Sequence, residues 1–231
     1  MLKVRFQIDA KVEIGVDEAG RGPLWGPLMA AAVILPEENS WSDSFKALVP
    51  NIKDSKKLSA KKREAAAKQL RELCVAHGVG IVTAAEIDTL GATRANQLAF
   101  RRAVQALEDS YKALSEKRIL IDGILPLNDQ KSGEEIHTLV EGDANYMAIA
   151  AASILAKVAH DKWVIDWCKE HVADAAKYDL LSCKGYGTAK HREGILKYGY
   201  TELHRRLYLR KLIPDIVVSR YQIVDDDGDS N

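Results

Sequence analysis

The order of apolar runs along this chain predicts a mixed α/β domain, a central sheet flanked by helices, and three observations predict it. Short apolar runs bounded by turn or polar residues recur at residues 12–16, 28–35, 80–83, 119–121 and 137–140, the pattern of strands. Helical periodicity appears between and after them, at residues 60–74, 95–114 and 145–172. The turn between the first two runs, residues 20–26, is too short for a helical crossover, so these strands are expected to form an antiparallel hairpin.

Taken in order, the first run ends at Gly20, Gly22 and Pro23, residues that terminate strands. The second is a continuous apolar stretch, followed by a helix rich in Ala, Lys, Arg and Glu with Ser59 as its N-cap. In the helix over 95–114, Leu98, Ala99, Ala103, Ala106, Leu107 and Leu114 recur near helical spacing. The last helix is the longest, and its first half is alanine-rich with Ile149, Ile154, Leu155 and Val158. No internal repeat is present.

At 231 residues the chain is near the upper size for one hydrophobic core, and no Pro/Gly/Ser-rich linker divides it. One domain over residues 1–215 is expected, with an acidic, flexible tail over 216–231. Hydrophobic content of 47% and charged content of 29% fit a soluble globular protein. No apolar stretch is long enough to cross a bilayer and the start lacks a signal-peptide pattern, so a cytoplasmic protein without membrane partners, acting as a monomer, is expected.

Cys74, Cys168 and Cys183 are odd in number and lack CxxC spacing, which argues against a disulfide framework and a zinc site. Net charge is zero, yet two basic stretches, residues 53–71 and 184–211, stand out; each alone also fits a solvated face. The six histidines show no HxxH or HExxH spacing and read as surface or structural residues. A GxxxxGK[ST] loop is absent, residues 15–22 lack the following helix of a dinucleotide fingerprint, and Ser153 has no GxSxG frame.

The chemistry lies in carboxylates at element ends. Asp17 and Glu18 sit where the first strand meets the glycine turn. Two such groups about 4 Å apart repel by roughly 4 kcal/mol at an effective dielectric near 20, a cost that a divalent cation turns into binding. Asp122 follows the apolar residues 119–121 and precedes Gly123, which also fits an Asx-turn. Asp143 precedes the longest helix and by itself also fits an N-cap. Together, four carboxylates at element ends can converge as hard oxygen ligands for magnesium or manganese. Two such ions about 3.5–4 Å apart activate water and stabilise the leaving oxygen in phosphodiester hydrolysis.

Six blocks, Asp17-Glu18-Ala19-Gly20-Arg21-Gly22-Pro23, Asp54-Ser55-Lys56-Lys57-Leu58-Ser59, Ile121-Asp122-Gly123, Gly142-Asp143-Ala144, Ala151-Ala152-Ser153-Ile154-Leu155-Ala156-Lys157 and Lys184-Gly185-Tyr186-Gly187-Thr188, resemble ribonuclease HII, in that family's order and across residues 12–210. The resemblance implies a ribonuclease H-like fold with a helical C-terminal extension, and Asp17, Glu18, Asp122 and Asp143 as catalytic, metal-binding carboxylates for two Mg²⁺ or Mn²⁺ ions. It implies hydrolysis of the RNA strand of RNA/DNA hybrids and cleavage 5′ of single ribonucleotides in duplex DNA, leaving 3′-hydroxyl and 5′-phosphate ends. Such chemistry serves ribonucleotide and RNA-primer removal. Gly20, Arg21, Gly22 and Tyr186 resemble the parts that recognise the ribose 2′-hydroxyl, the group that distinguishes RNA from DNA. Lys56 and Lys184 are placed to contact phosphates.

Tyr186 on its own also fits a half-buried loop tyrosine. The chain departs from the family pattern at Trp25, expected to bear on substrate contacts, and at His160 and Leu207-Tyr208, where local packing is in question. It shows no extra N-terminal domain of the kind in ribonuclease HIII, which favours the junction-cutting branch, and no clear sliding-clamp motif. A nuclease of the same broad fold acting on DNA alone, and a non-catalytic hybrid-binding module, remain open alternatives.

Overall fold

The computed structural model describes residues 2–53, 55–112, 116–127 and 129–218. Asp54 of the second sequence block, Leu114 and residues 219–231 of the acidic tail lie outside the described residues. Five strands form one mixed sheet: β1 (Val12–Ala19), β2 (Leu28–Ile34), β3 (Ala76–Val82), β4 (Lys117–Asp122) and β5 (Glu134–Leu139). Their order is β3-β2-β1-β4-β5. The first three pair antiparallel, and β4 and β5 add in parallel beside β1. As expected from the short connection, β1 and β2 form a hairpin.

The helices among the described residues are α1 (Asp43–Leu48), α2 (Ala60–Leu73), α3 (Ala84–Ser110), α4 (Gly142–Asn145), α5 (Met147–Glu170), α6 (Val172–Lys177), α7 (Leu180–Cys183), α8 (Ala189–Tyr198) and α9 (Arg206–Leu209). None is long and apolar enough to cross a membrane. On one face of the sheet α3 packs with Phe100, Val104 and Leu107 against Ile14, Val16 and Ile119. On the other, α5 packs against Ala31 and Val33, and α2 packs on α5 within the same cluster. With helices on both faces, β2 is buried along its whole length, which explains its unbroken apolar run. A third cluster, built on Trp25, Val164, Leu180 and Ile195, joins the C-terminal helices to the end of α5.

Several element bounds differ from the sequence reading: β5 starts at Glu134 rather than His137, and β4 at Lys117 rather than Ile119. β3 starts four residues earlier, at Ala76 rather than Gly80, because Gly78 and Gly80 weaken the strand signal. They are there for close approach: a Cβ at Gly80 would lie 2.2 Å from the Ala99 carbonyl oxygen of α3. α3 begins at Ala84, capped by a reciprocal Thr83–Glu86 box, and is interrupted at Gly91 (φ 78°), which hid its first turns from periodicity. The helix expected over 145–172 begins at Met147, with a break at Tyr146 separating it from α4, and at 24 residues it is shorter than the 27-residue α3. Asp143 therefore does not cap the long helix; it stands in the first turn of α4.

α5 meets β1 at Gly15, where an added Cβ would fall 2.2 Å from the Ala148 carbonyl carbon and 2.3 Å from its oxygen. Backbone cannot yield there as a flexible side chain would. Gly15→Ala is expected to destabilise the fold by about 3 kcal/mol, the upper end for overpacking. Urea unfolding followed by circular dichroism checks this, and a midpoint equal to that of the unsubstituted protein would refute the tight contact.

Candidate active site

β1 and β4 lie side by side with Val16 opposite Ile121. The next residue on each strand is a carboxylate, so Asp17 and Asp122 emerge together at one end of the sheet. Alternation along β1 sends neighbours to opposite faces. Gly15 and Asp17 turn toward α5, where the Ser153 hydroxyl donates to Asp17. Glu18 turns toward α3, where the Asn96 side chain donates to it. The two adjacent carboxylates thus straddle the strand rather than stack on one side. The Glu18 N–H closes the pair by donating to Asp17 Oδ1 at 2.7 Å.

Asp17 is 6% exposed. Burial, reinforced by the charges of Glu18 and Asp122, pushes its pKa well above the usual carboxylate range. Burial also raises Glu18, against the pull of Arg21 and with a further push from Asp122. Arg21 Nη1 stands 3.9 Å from Glu18 Oε1. Ser55 Oγ lies 2.9 Å from Ser153 Oγ, and since the Ser153 proton is committed to Asp17, Ser55 is the donor of that pair.

Asp17, Glu18 and Asp122 open into one cavity of about 370 Å³, lined also by Gly20, Arg21, Gly22, Lys56, Lys157 and Tyr186. Eight of the ten residues singled out in the sequence therefore meet in one place. Asp143 does not line this cavity; it adjoins it through its backbone N–H, 3.3 Å from Asp122 Oδ1. Lys184 is half-buried at the C-terminal cap of α7, with its ammonium on the Leu181 carbonyl, and the structure does not bring it into the cavity.

The glycine turn is held from beneath by a residue the sequence did not flag. Arg205 is fully buried, and its guanidinium donates to the carbonyls of Gly20 at 2.7 Å, Arg21 at 3.1 Å and Gly26 at 2.9 Å. Burial pulls its pKa down to about 10, which leaves it charged at neutral pH. Against the turn's other side packs His160, whose Cδ2 would lie 2.3 Å from a Cβ at Gly20. Gly20 has φ +82°, so the position needs glycine for both conformation and space. Across the cavity, Tyr186 Cε1 would be 3.6 Å from a Cβ at Gly22, which puts the tyrosine ring directly over the turn.

Trp25 does not bear on substrate contacts. It is fully buried, with ring centroids 5.5 Å from Trp163 and 4.7 Å from Trp167 of α5. His160 is likewise fully buried, and Leu207 and Tyr208 are integrated locally: the Leu207 N–H donates to Asp88 at 2.8 Å, and Arg205 sits over the Tyr208 ring at 5.5 Å. The sequence assigned no site role to Asn96, nor to Ser153 and Lys157, although these two stand in one of the six blocks. The signal for Ser153 was a lone hydroxyl inside the apolar residues 148–156; Asn96 carries none that periodicity could find.

Among the described residues, no three His, Cys, Asp or Glu side chains are drawn together as a closed metal cage. The donor set nevertheless fits a hard divalent cation. It is all oxygen, and three carboxylates share one cavity in which burial and neighbouring acids make ionisation of Asp17 and Glu18 costly unless positive charge enters.

Over residues 14–211 the sequence matches the family described as Ribonuclease HII. A ribonuclease HII of Geobacillus thermodenitrificans is 42% identical over 194 residues, covering 84% of this chain and 67% of that one. One from Synechococcus is 43% identical over 195 residues, covering 84% and 89%. The crystal structure of ribonuclease H2 from Pyrococcus horikoshii superposes with a TM-score of 0.63 at 26% identity, over 87% of this chain and 96% of that one. With the matching sheet, flanking helices and family match over most of its length, this chain belongs to the ribonuclease HII family.

Proposed function

We propose that the chain is a metal-dependent endoribonuclease that hydrolyses the RNA strand of RNA/DNA hybrids and cuts 5′ of single ribonucleotides in duplex DNA, leaving 3′-hydroxyl and 5′-phosphate ends. The observation that carries this reading is the single cavity shared by Asp17, Glu18 and Asp122 with the turn at Gly20–Gly22 and with Tyr186. A generic phosphodiesterase needs only the carboxylates. A turn and a tyrosine facing each other beside them form a groove that can test a ribose for its 2′-hydroxyl.

In this reading Asp17, Glu18, Asp122 and Asp143 hold the divalent cations, Mg²⁺ or Mn²⁺. When bound, two such ions supply activation of the attacking water and stabilisation of the leaving oxygen. The chain's own residues do the rest. Ser153 and Asn96 fix the rotamers of Asp17 and Glu18 from opposite faces of the sheet. Arg21, Lys56 and Lys157 line the cavity and attract the phosphate backbone. Backbone groups of Gly20, Arg21 and Gly22 reach the ribose because no side chains intervene at the glycines. Tyr186 offers a hydroxyl to the 2′-oxygen and a ring face to the neighbouring sugar. Lys184, at the start of the same loop, serves phosphates outside the cavity.

This assignment has three measurable consequences. A DNA duplex with one embedded ribonucleotide, incubated with enzyme and Mg²⁺ or Mn²⁺, is cut on the 5′ side of that nucleotide; a surviving duplex defeats the proposal, and equal cutting of an all-deoxy duplex points to a DNA nuclease instead. Asp17→Asn lowers cleavage by at least about 10²-fold while hybrid binding, carried by lysines and arginines, changes little. Undiminished cleavage in that variant would remove Asp17 from the metal set. Tyr186→Phe lowers cutting at a single ribonucleotide about five-fold more than cutting of a long hybrid, because one lost hydrogen bond matters most where a single 2′-hydroxyl is presented; equal losses would end the sensing role.

A further inference from the structure

Tyr186 lies in the loop between α7 and α8, and its carbonyl is tied to the molecule's interior. That oxygen accepts from His191 Nδ1 at 2.9 Å and from the Thr188 N–H at 2.8 Å. A carbonyl can only accept, so His191 carries its proton on Nδ1 and presents a lone pair at Nε2. His204 Nε2 faces that lone pair at 3.2 Å. On the far side of its ring, His204 Nδ1 accepts from the Thr201 N–H at 2.9 Å, with the Thr201 hydroxyl also 2.9 Å away. His204 therefore carries its proton on Nε2. Each ring is neutral, each has one proton, and every bond in the chain Thr201–His204–His191–Tyr186 has one donor and one acceptor.

Both imidazoles are fully buried. Around them stand the Cys183 thiol, 3.7 Å from His191 Nδ1, and the Tyr178 ring, edge-on to both. Burial holds both histidines neutral, His204 at a pKa of about 3 with His191 adding to the effect. The same segment is stitched to the glycine turn. The Gly26 N–H donates to the Leu203 carbonyl at 2.9 Å, the Arg205 N–H to the Leu24 carbonyl at 2.8 Å, and the Leu24 N–H to the Gly185 carbonyl at 2.8 Å. Arg205 then grips the carbonyls of Gly20 and Arg21. One dipeptide, His204-Arg205, thus reaches Tyr186 through one side chain and the turn through the other.

We propose that His204 and His191 are positioning residues for ribonucleotide recognition: their single inter-ring hydrogen bond fixes the Tyr186 loop at a set distance from the Gly20–Gly22 turn. The inference rests on the reading of Tyr186 as a 2′-hydroxyl sensor. A single ribonucleotide offers one 2′-hydroxyl, so a loop displaced by a fraction of an ångström loses the whole signal, whereas a long hybrid offers many chances of engagement.

The substitutions that test it exploit amide geometry. In His204→Asn the side-chain oxygen can still accept from Thr201, but no N–H reaches His191; in His204→Gln the longer side chain can extend an N–H toward His191. The ratio of cleavage at a single ribonucleotide to cleavage of a long hybrid is expected to fall about five-fold in His204→Asn. It should recover in His204→Gln, and should fall no further when His204→Asn is combined with Tyr186→Phe than in Tyr186→Phe alone. An unchanged ratio in His204→Asn, with a lowered ratio in Tyr186→Phe, overturns the positioning role and leaves the sensor standing. An unchanged ratio in Tyr186→Phe removes the sensor and the proposal with it. Independently of activity and of any variant's folding, ¹⁵N–¹H correlation spectra of the unsubstituted protein should show His204 protonated at Nε2 and His191 at Nδ1; any other tautomer pair overturns the relay.

Discussion

The contact between α5 and β1 at Gly15 sets the positions of most functional groups in this molecule. There a helix backbone rests on a strand backbone with no side chain between them. From that point the two elements run together toward the end of the sheet. Ser153 of α5 reaches Asp17, Lys157 reaches the cavity, and His160 closes on Gly20. The helix acts as a straightedge along which the carboxylate, the cavity wall and the turn are set out in order. The alanines of its first half serve this purpose, since bulkier residues would lift it away from the strand and separate those pairs.

The same arrangement accounts for the electrostatics. A carboxylate at a strand end facing water would ionise at little cost. Asp17 instead lies under α5, next to two other acids and supported by a hydroxyl rather than by a lysine or arginine. Elsewhere in the fold, buried acids are compensated by the chain itself: Glu134 pairs with Arg101 at 2.7 Å, Glu13 with Arg118 at 3.2 Å, and Asp88 accepts the backbone N–H groups of Arg206 and Leu207. The contrast is what supports the proposed cation-binding role of the cavity.

Much of this was legible in the sequence for a simple reason. Strand ends next to glycines are visible as an apolar run followed by a turn, so Asp17, Glu18 and Asp122 could be placed with no knowledge of tertiary contacts. The hairpin followed from the length of its connection. What could not be read was anything fixed by distant packing. Gly78 and Gly80 looked like interruptions of a strand although they are where α3 seats. Trp25 looked like a neighbour of the substrate because it is close to the turn in sequence, yet its ring is turned into the C-terminal cluster. Arg205 was one of eight cations in a basic stretch, and charge counting cannot separate a solvated arginine from one enclosed by three carbonyls. The histidines lacked metal spacing and were read as surface or structural; three of them, His160, His191 and His204, are fully buried.

Arg205 also sets an order of events during synthesis. Its bonds to Gly20 and Gly26 span 185 and 179 positions of the chain. β1, β4 and α5 can assemble once the ribosome has released residues up to about the end of α5, so the acidic centre can be built from the first three quarters of the described chain. The turn beside it has only the α5 side, at His160, in place by then; its bonds to Arg205 join positions far apart in sequence and are closed late. Under the proposed function, a nascent chain would hold its acidic centre before the turn proposed to select the substrate is fully braced.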